Sequence, residues 1–425
     1  MKRFSILSTI LFALLVCPAM TFALNEWTII IYQCADDSSS STLEDAAIRD
    51  LIELDSVGSQ GGLEIIAQVD RGTKLSNLMK QVYSDPDYSG ASRYLIKRDK
   101  WQGEGKIGEV DMGSPKTLWD CLKWAAKDHP AKHYFLVLAG HGSGVFSWRG
   151  TGSVSSSNPG AVNFDPDNFV AYDDSSGDCL TVFEVNAVLS AFQQRLNRGR
   201  PIDMIAFDSC NAGCVEALYQ FRHTVKIAIA SASTVPMCGL DYQAIASAIA
   251  RNNHIDPEEL AKIAVKAFID EAPCNGKGDI MGAFRLDRLE TLAGSISRLS
   301  MELLKAMRET GRGFGVSDLV SYNDNYWDLK RLCQSIVRGE LKLNGASNYH
   351  QVQEYAQEVL TDRSAATISL WYGGDYASQK AGGLSIAWPE KDDYRKYRNF
   401  YKALDFSHNT KWDEVLDRRE LGIDN

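Results

Sequence analysis

Beyond its first two dozen residues the chain has no run long and apolar enough to cross a bilayer, no block of basic residues and no internal repeat. A membrane-spanning helix takes about 20 successive apolar residues, so no later segment is expected to span a membrane. Phosphate binding requires a basic face. Here Lys and Arg number 45 against 55 Asp and Glu, the formal net charge is −10, and the two signs are mixed along the chain. That argues against nucleic acid as a main partner. Cysteine is sparse and irregular. Cys17 lies in the N-terminal segment, and Cys34, Cys121, Cys179, Cys210, Cys214, Cys238, Cys274 and Cys333 follow at spacings that form no disulfide framework. A chain this long can bury a core without cross-links. No second Cys or His pair stands at metal-ligand spacing, which disfavours zinc. Three residues lie between Cys210 and Cys214, where a thioredoxin-like pair has two.

What is present is an ordinary globular composition, 44% hydrophobic and 24% charged, long enough for two domains or one large one with additions. The opening "MKRFSILSTILFALLVCPAMTFA" has a basic start, an apolar run and a small-residue end. This is the layout of a secretory signal peptide cut after Ala23, and it predicts export to the periplasm or the extracellular space.

Apolar, β-branched runs then alternate with amphipathic stretches. Strands are expected at 27–35, 63–70, 133–140, 201–208 and 225–233. Helices are expected between them: from 41 with Ser41 and Glu44 as a capping box, from 114 with a Ser-Pro start, and over 181–196 with Thr181 and Glu184 as a second box. Strands without polar alternation, separated by helices, indicate a mostly parallel sheet covered on both faces. The fold class is α/β. Residues 241–360 read as mainly helical, and a strand pair, "ATISLWYGG" and "GGLSIAWPE", follows. The organisation expected is a signal peptide at 1–23, a catalytic domain at 24–250, and a helical accessory region at 251–425 whose late strands extend or pack on the core. Residues 149–168, rich in Ser, Gly, Asn and Pro, read as a long exposed loop of the kind proteases cut.

Two strands end in reactive residues. One runs into His141 in "LAGHGSG", the other into Asp208 and Cys210 in "FDSCNAGC". Sites of open α/β sheets form outside the carboxyl ends of the strands, so His141 and Cys210 can face each other across one crevice. A Cys210–Cys214 disulfide is disfavoured because "CVEALYQF" reads as a helix start, and Cys214 reads as a small buried hydrophobe. A thiol at a strand-to-helix turn is expected to feel the positive end of the helix dipole and to titrate low. An imidazole beside it can handle the leaving-group proton, and the neighbouring glycines let backbone N–H groups approach an oxyanion. Either residue alone reads as structural, His141 as a capping or satisfied histidine and Cys210 as one more buried thiol. Together they read as a nucleophile and its partner.

The segments "NEWTIIIYQCADDSSSSTLEDAAIRDL", "DMGSPKTLWDCLKWAAKDHPAKHYFLVLAGHGSG" and "DMIAFDSCNAGCVEALY", with "YDDSSGDCLTVFEV" and "SASTVPMCGLDY" in order, resemble the clostripain-like cysteine peptidases of the caspase, legumain and gingipain group. The resemblance covers about Trp27 to Tyr242, with "GGLSIAWP" also familial. It implies a caspase-like three-layer sandwich and a thiol peptidase acting on proteins or peptides through a Cys210–His141 dyad. The Gly142 and Cys210 amides would hold the oxyanion. Asp208 would line the specificity pocket and pair with Arg or Lys before the scissile bond, with Asp241 a candidate second charge. The structural alternative for Asp208 is an acid capping the next helix.

Ser209 and Asn211-Ala212 depart from the family's alanine before and leucine-methionine after the cysteine, and "SCNAG" leans toward asparaginyl-specific relatives. An asparaginyl or transpeptidase enzyme, and a non-catalytic peptide-binding relative, stay open. The resemblance also implies self-cleavage in the loop after the histidine, for which Arg149 is the candidate. It requires no cofactor, although calcium dependence occurs in the family, and "DDSSGD" (173–178) supplies oxygen ligands without EF-hand spacing.

Overall fold

The computed structural model describes residues 24–36, 42–72, 76–77, 88–146, 169–268, 280–311, 319–323, 325–341, 343 and 345–421. The segment 1–23, Ser41, Arg149 with its loop, and Cys274 lie outside them.

Five strands read from the sequence form the centre of the molecule: β1 (Asn25–Cys34), β2 (Leu63–Asp70), β5 (Ala131–Ala139), β8 (Ile202–Asp208) and β9 (Val225–Ala230). They run parallel in the order β2-β1-β5-β8-β9. The hairpin of β3 (Ala91–Lys97) and β4 (Lys100–Gly108) adds antiparallel strands beside β2. Strands β10 (Ile280–Arg285) and β13 (Thr367–Tyr372) add two beside β9, making a nine-stranded sheet. A two-stranded ribbon joins β6 (Val170–Asp173) and β7 (Asp178–Leu180), and a small sheet joins β11 (Ser321–Asn323), β12 (Tyr326–Asp328) and β14 (Ser385–Ala387). The two late runs expected as a strand pair thus go to different sheets. "TISLWY" extends the main sheet, and "SIA" completes the small one.

Each central strand buries both faces, as the unbroken apolar runs predict. Ile29, Ile31, Phe135, Val137, Met204 and Ala206 pack on one side. Helices α1 (Thr42–Val57), α5 (Tyr242–Arg251) and α6 (Pro257–Ala267) cover them. Ile30, Tyr32, Leu136, Leu138, Ile205 and Phe207 pack on the other, under α2 (Pro115–Asp128), α3 (Val182–Arg195), α4 (Val215–Gln220) and α7 (Leu289–Thr310). The result is the caspase-like three-layer sandwich with a largely helical C-terminal region, in which α8 (Leu329–Val337), α9 (Tyr349–Ala366) and the helix Lys391–Ala403 stand among the later helices. Thr181 and Glu184 form the expected capping box. Glu44 is fully buried and pairs with Arg71 at 3.3 Å.

Candidate active site

The register of the sheet builds the site. Gln33 pairs with Ala139 and Ala139 with Asp208, so these three residues form one rung across β1, β5 and β8 and share one face. His141 and Cys210 each stand two residues past the same rung, on adjacent strands about 4.8 Å apart. Both line one cleft, together with Gln33, Asp50, Ala139, Gly140, Asp208 and the Val235–Met237 turn. His141 is exposed and Cys210 half-buried.

Close backbone approach explains the glycines. Gly140 has φ +134°, and a side chain there would meet the Cys34 carbonyl at 2.5 Å. A Cβ on Gly142 would lie 2.9 Å from the Phe169 carbonyl and 3.0 Å from the Cys210 carbonyl. The His141–Gly142 and Cys210 peptides therefore run side by side. Neither the Gly142 nor the Cys210 N–H donates to a backbone carbonyl among the described residues. The turn after Cys210 is held from β9's continuation: Asn211 N–H donates to Ser233 O at 2.8 Å and Gly213 N–H to Ser231 O at 2.7 Å. Asn211 sits at φ +59°, a left-handed conformation that asparagine tolerates better than most residues.

The second half of the chain braces both reactive loops. Phe146 N–H donates to Tyr326 Oη at 2.8 Å, fixing the loop after His141. Ser385 N–H donates to Gly213 O at 3.0 Å, and Ala387 N–H to Glu216 Oε1 at 2.8 Å, fixing the turn after Cys210.

The electrostatics of the thiol differ from the sequence expectation. Helix α4 starts at Val215 with Cys214 as its N-cap, so its positive end lies beyond the turn rather than at Cys210. Burial pushes the Cys210 thiol up and the nearby Asp208 adds to it, while a hydrogen bond from Val235 N–H to Sγ at 3.3 Å pulls it down. Cys34, Cys121, Cys210, Cys214 and Cys333 are free thiols.

Asp208 opens onto the cleft and does not cap α4. Its Oδ2 accepts from Tyr242 Oη at 2.7 Å and from Leu240 N–H at 3.1 Å, and burial raises its carboxyl. Gly239 packs so tightly on this carboxylate that a Cβ would lie within 2.4 Å of it. Asp241 is occupied as the N-cap of α5, accepting from Ala244 N–H at 2.7 Å. The second acid lining the cleft is Asp50 of α1, which sequence reading missed along with Gln33. Both left a signal. Gln33 is a polar break in an apolar strand, and Asp50 falls on the helix face that buries Leu43, Ala47 and Leu54.

The 173–178 run forms the turn of the β6–β7 ribbon and contributes Asp173 to a separate cluster. Carboxylate oxygens of Asp36, Glu109 and Asp173 all lie within 4.8 Å of one another. Next to them Asp70 is fully buried; burial and the charges of Glu109, Asp173 and Asp36 raise its carboxyl to about 9, against the pull of Arg71 N–H. Clustered carboxylate oxygens are the hard donors that suit a calcium ion.

A thiol and an imidazole stand just past adjacent strand ends of a caspase-like sandwich, and with the family match that follows the chain is a cysteine-type endopeptidase. The chain belongs to the clostripain family, whose model matches residues 31–418. It is 25% identical to clostripain of Hathewaya histolytica over 94% of this chain and 81% of that one. Its fold is similar to two solved structures. One is an inactive zymogen C11 protease from Parabacteroides distasonis (TM-score 0.61, 18% identity, 91% of this chain and 99% of that one). The other is a secreted C11 cysteine protease from Bacteroides thetaiotaomicron in complex with an irreversible peptide inhibitor (TM-score 0.63, 16% identity, 91% and 99%). No described helix is long and apolar enough to cross a membrane.

Proposed function

We propose that this peptidase cuts peptide bonds after basic residues with Cys210 as nucleophile and His141 as the proton-handling base and acid. The observation that carries the proposal is the shared rung, which sets His141, Cys210 and Asp208 around one cleft. Burial disfavours the Cys210 thiolate. With substrate aligned, His141 takes the thiol proton as Cys210 Sγ attacks the carbonyl carbon, and the Gly142 and Cys210 amides receive the negative oxygen. His141 gives that proton to the amine as the C–N bond breaks; a water that passes a proton to His141 then attacks the thioester carbonyl, and the C–S bond breaks to release the acid and return the proton to sulfur. Asp208 supplies the negative charge that meets the substrate's cation.

Export through the 1–23 signal peptide and self-cleavage after Arg149, eight residues past His141, belong to the same reading. The ends of that connection are fastened to the fold and to each other. Phe146 stacks on Tyr401 with ring centroids 5.4 Å apart, Phe169 packs on Phe207 at 5.2 Å, and Ser143 N–H donates to Phe169 O at 3.0 Å. A cut there would leave both ends seated. Calcium, where bound, would be held by Asp36, Glu109 and Asp173 and would neutralise that cluster.

The test compares the mature protein with Cys210→Ala and His141→Ala on matched peptides ending in Arg, Lys, Asn or Asp before a fluorogenic leaving group. Mass spectrometry of each protein follows in the same tubes. Cysteine- and histidine-dependent release from Arg or Lys, with a cut after Arg149 absent in Cys210→Ala, is the expected result. Release only from Asn would overturn the role of Asp208. Acyl transfer to an added amine in place of hydrolysis would make the enzyme a transpeptidase. Silence on every peptide would overturn the dyad.

A further inference from the structure

The cleft's inner end holds more acceptors than one carboxylate provides. Asp208 uses Oδ2 for both Tyr242 and Leu240, which leaves Oδ1 for a ligand. Gln33, on the same rung, is 3% exposed and lines the cleft, and its Oε1 is buried with no partner. Between Gln33 and Asp208 on the rung stands Ala139, so two strand spacings, about 10 Å, are bridged by a methyl group. Over this gap α1 places Asp50, 5% exposed and lining the same cleft. Among the described residues no cation forms an ion pair with Asp208 or Asp50, and two acids beside an unpartnered amide oxygen are costly to bury unless a charged donor reaches them. Burial, Asp208 and Glu53 push the Asp50 carboxyl up, and Arg49 beside it only partly offsets them.

We propose that Asp50 and Gln33 are specificity-determining residues of the pocket, completing with Asp208 a three-point acceptor set for the cationic side chain before the scissile bond. The inference rests on the reading of Asp208 given above and deepens it. A guanidinium has five N–H donors and an ammonium three. Asp208 Oδ1, Asp50 and Gln33 Oε1 can engage either one, and only a cation discharges both acids. Ala139 keeps the gap open, and Asp50 provides the second negative charge for which the sequence offers Asp241 as a candidate.

The experiment measures kcat/KM on matched arginine and citrulline peptides for wild type, Asp50→Asn, Gln33→Leu and Asp208→Asn. Citrulline keeps arginine's shape and lacks its charge. Losing one charge-assisted hydrogen bond reduces the rate roughly 10- to 100-fold. Asp50→Asn is expected to lose that on arginine while citrulline changes little, so the arginine-to-citrulline ratio collapses. Gln33→Leu is expected to cost both substrates, because the amide oxygen serves either. Alkylation of Cys210 by iodoacetamide, which needs no pocket, should proceed at the wild-type rate in Asp50→Asn. Equal losses on both peptides with slowed alkylation would show a structural role for Asp50 and overturn the proposal. Loss in Asp208→Asn with Asp50→Asn at wild-type rates would also overturn it, while sparing the reading of Asp208. No loss in either acid variant would overturn both.

Discussion

Glu216 offers the sharpest test of how the second half of the chain holds the nucleophile's turn. It lies in α4, fully buried, with Oε1 accepting from Ala387 N–H at 2.8 Å and from Tyr401 Oη at 2.9 Å. Its Oε2 is buried without a partner. Burial outweighs these hydrogen bonds and raises the carboxyl from 4.5 to about 7. The sign follows directly. Between those two values the folded chain keeps a proton that the unfolded chain has lost, so stability falls as pH rises through that window and levels off above it. The interval is about 2.5 pH units at about 1.36 kcal/mol each, roughly 3 kcal/mol. Glu216→Gln keeps the accepting oxygen and cannot ionise. Whatever its stability relative to wild type at pH 4.5, the variant should gain roughly 3 kcal/mol on wild type by pH 8. Urea unfolding at both pH values, in a Cys210→Ala background that prevents self-cleavage, reads the difference. A gap that stays constant within extrapolation error would refute the argument that this carboxyl titrates inside the fold.

Two further outcomes follow from close packing and from the acidic cluster. Gly142→Ala should fold with a loss of about 1–3 kcal/mol from overpacking and cut kcat about 100-fold or more, because the forced shift falls on the amides proposed to hold the oxyanion; wild-type kcat would refute that proposal. Calcium at 100 times its Kd should add about 2.7 kcal/mol of stability, seen calorimetrically as a Tm rise that magnesium does not match and that Glu109→Gln removes; an unchanged Tm would refute the cluster as a cation site.

The sequence was most legible where one physical signal dominated. Strands β1, β2, β5, β8 and β9 were read to within a few residues because burial on both faces writes a continuous apolar run. Helix α3 was read from its capping box, and α2 from its Ser-Pro start. The β3–β4 hairpin went unread because β4 is largely exposed and its "KWQGEGKIG" has no apolar face to display. Strand β10 was lost inside a region that reads as helical, being only six residues between long amphipathic helices. The His141 and Cys210 loops were visible as polar, glycine-flanked ends of apolar strands. Asp50 and Gln33 were not visible as site residues, because their meaning depends on register and on where α1 lies over the sheet. Spacing along the chain encodes neither.

That dependence also bears on the thiol. The sequence suggests a nucleophile lowered by a helix dipole, yet α4 begins only at Val215 and the thiol at Cys210 is raised by burial and by Asp208. Asp208, proposed above to meet the substrate's cation, therefore adds to burial in opposing the thiolate. On that proposal, entry of a basic side chain would offset the Asp208 charge and ease this smaller opposition, while burial continues to oppose the thiolate and Val235 N–H to favour it. A neutral side chain in the same pocket would leave the Asp208 contribution in place. Citrulline peptides should on this argument be poor substrates in kcat as well as in KM.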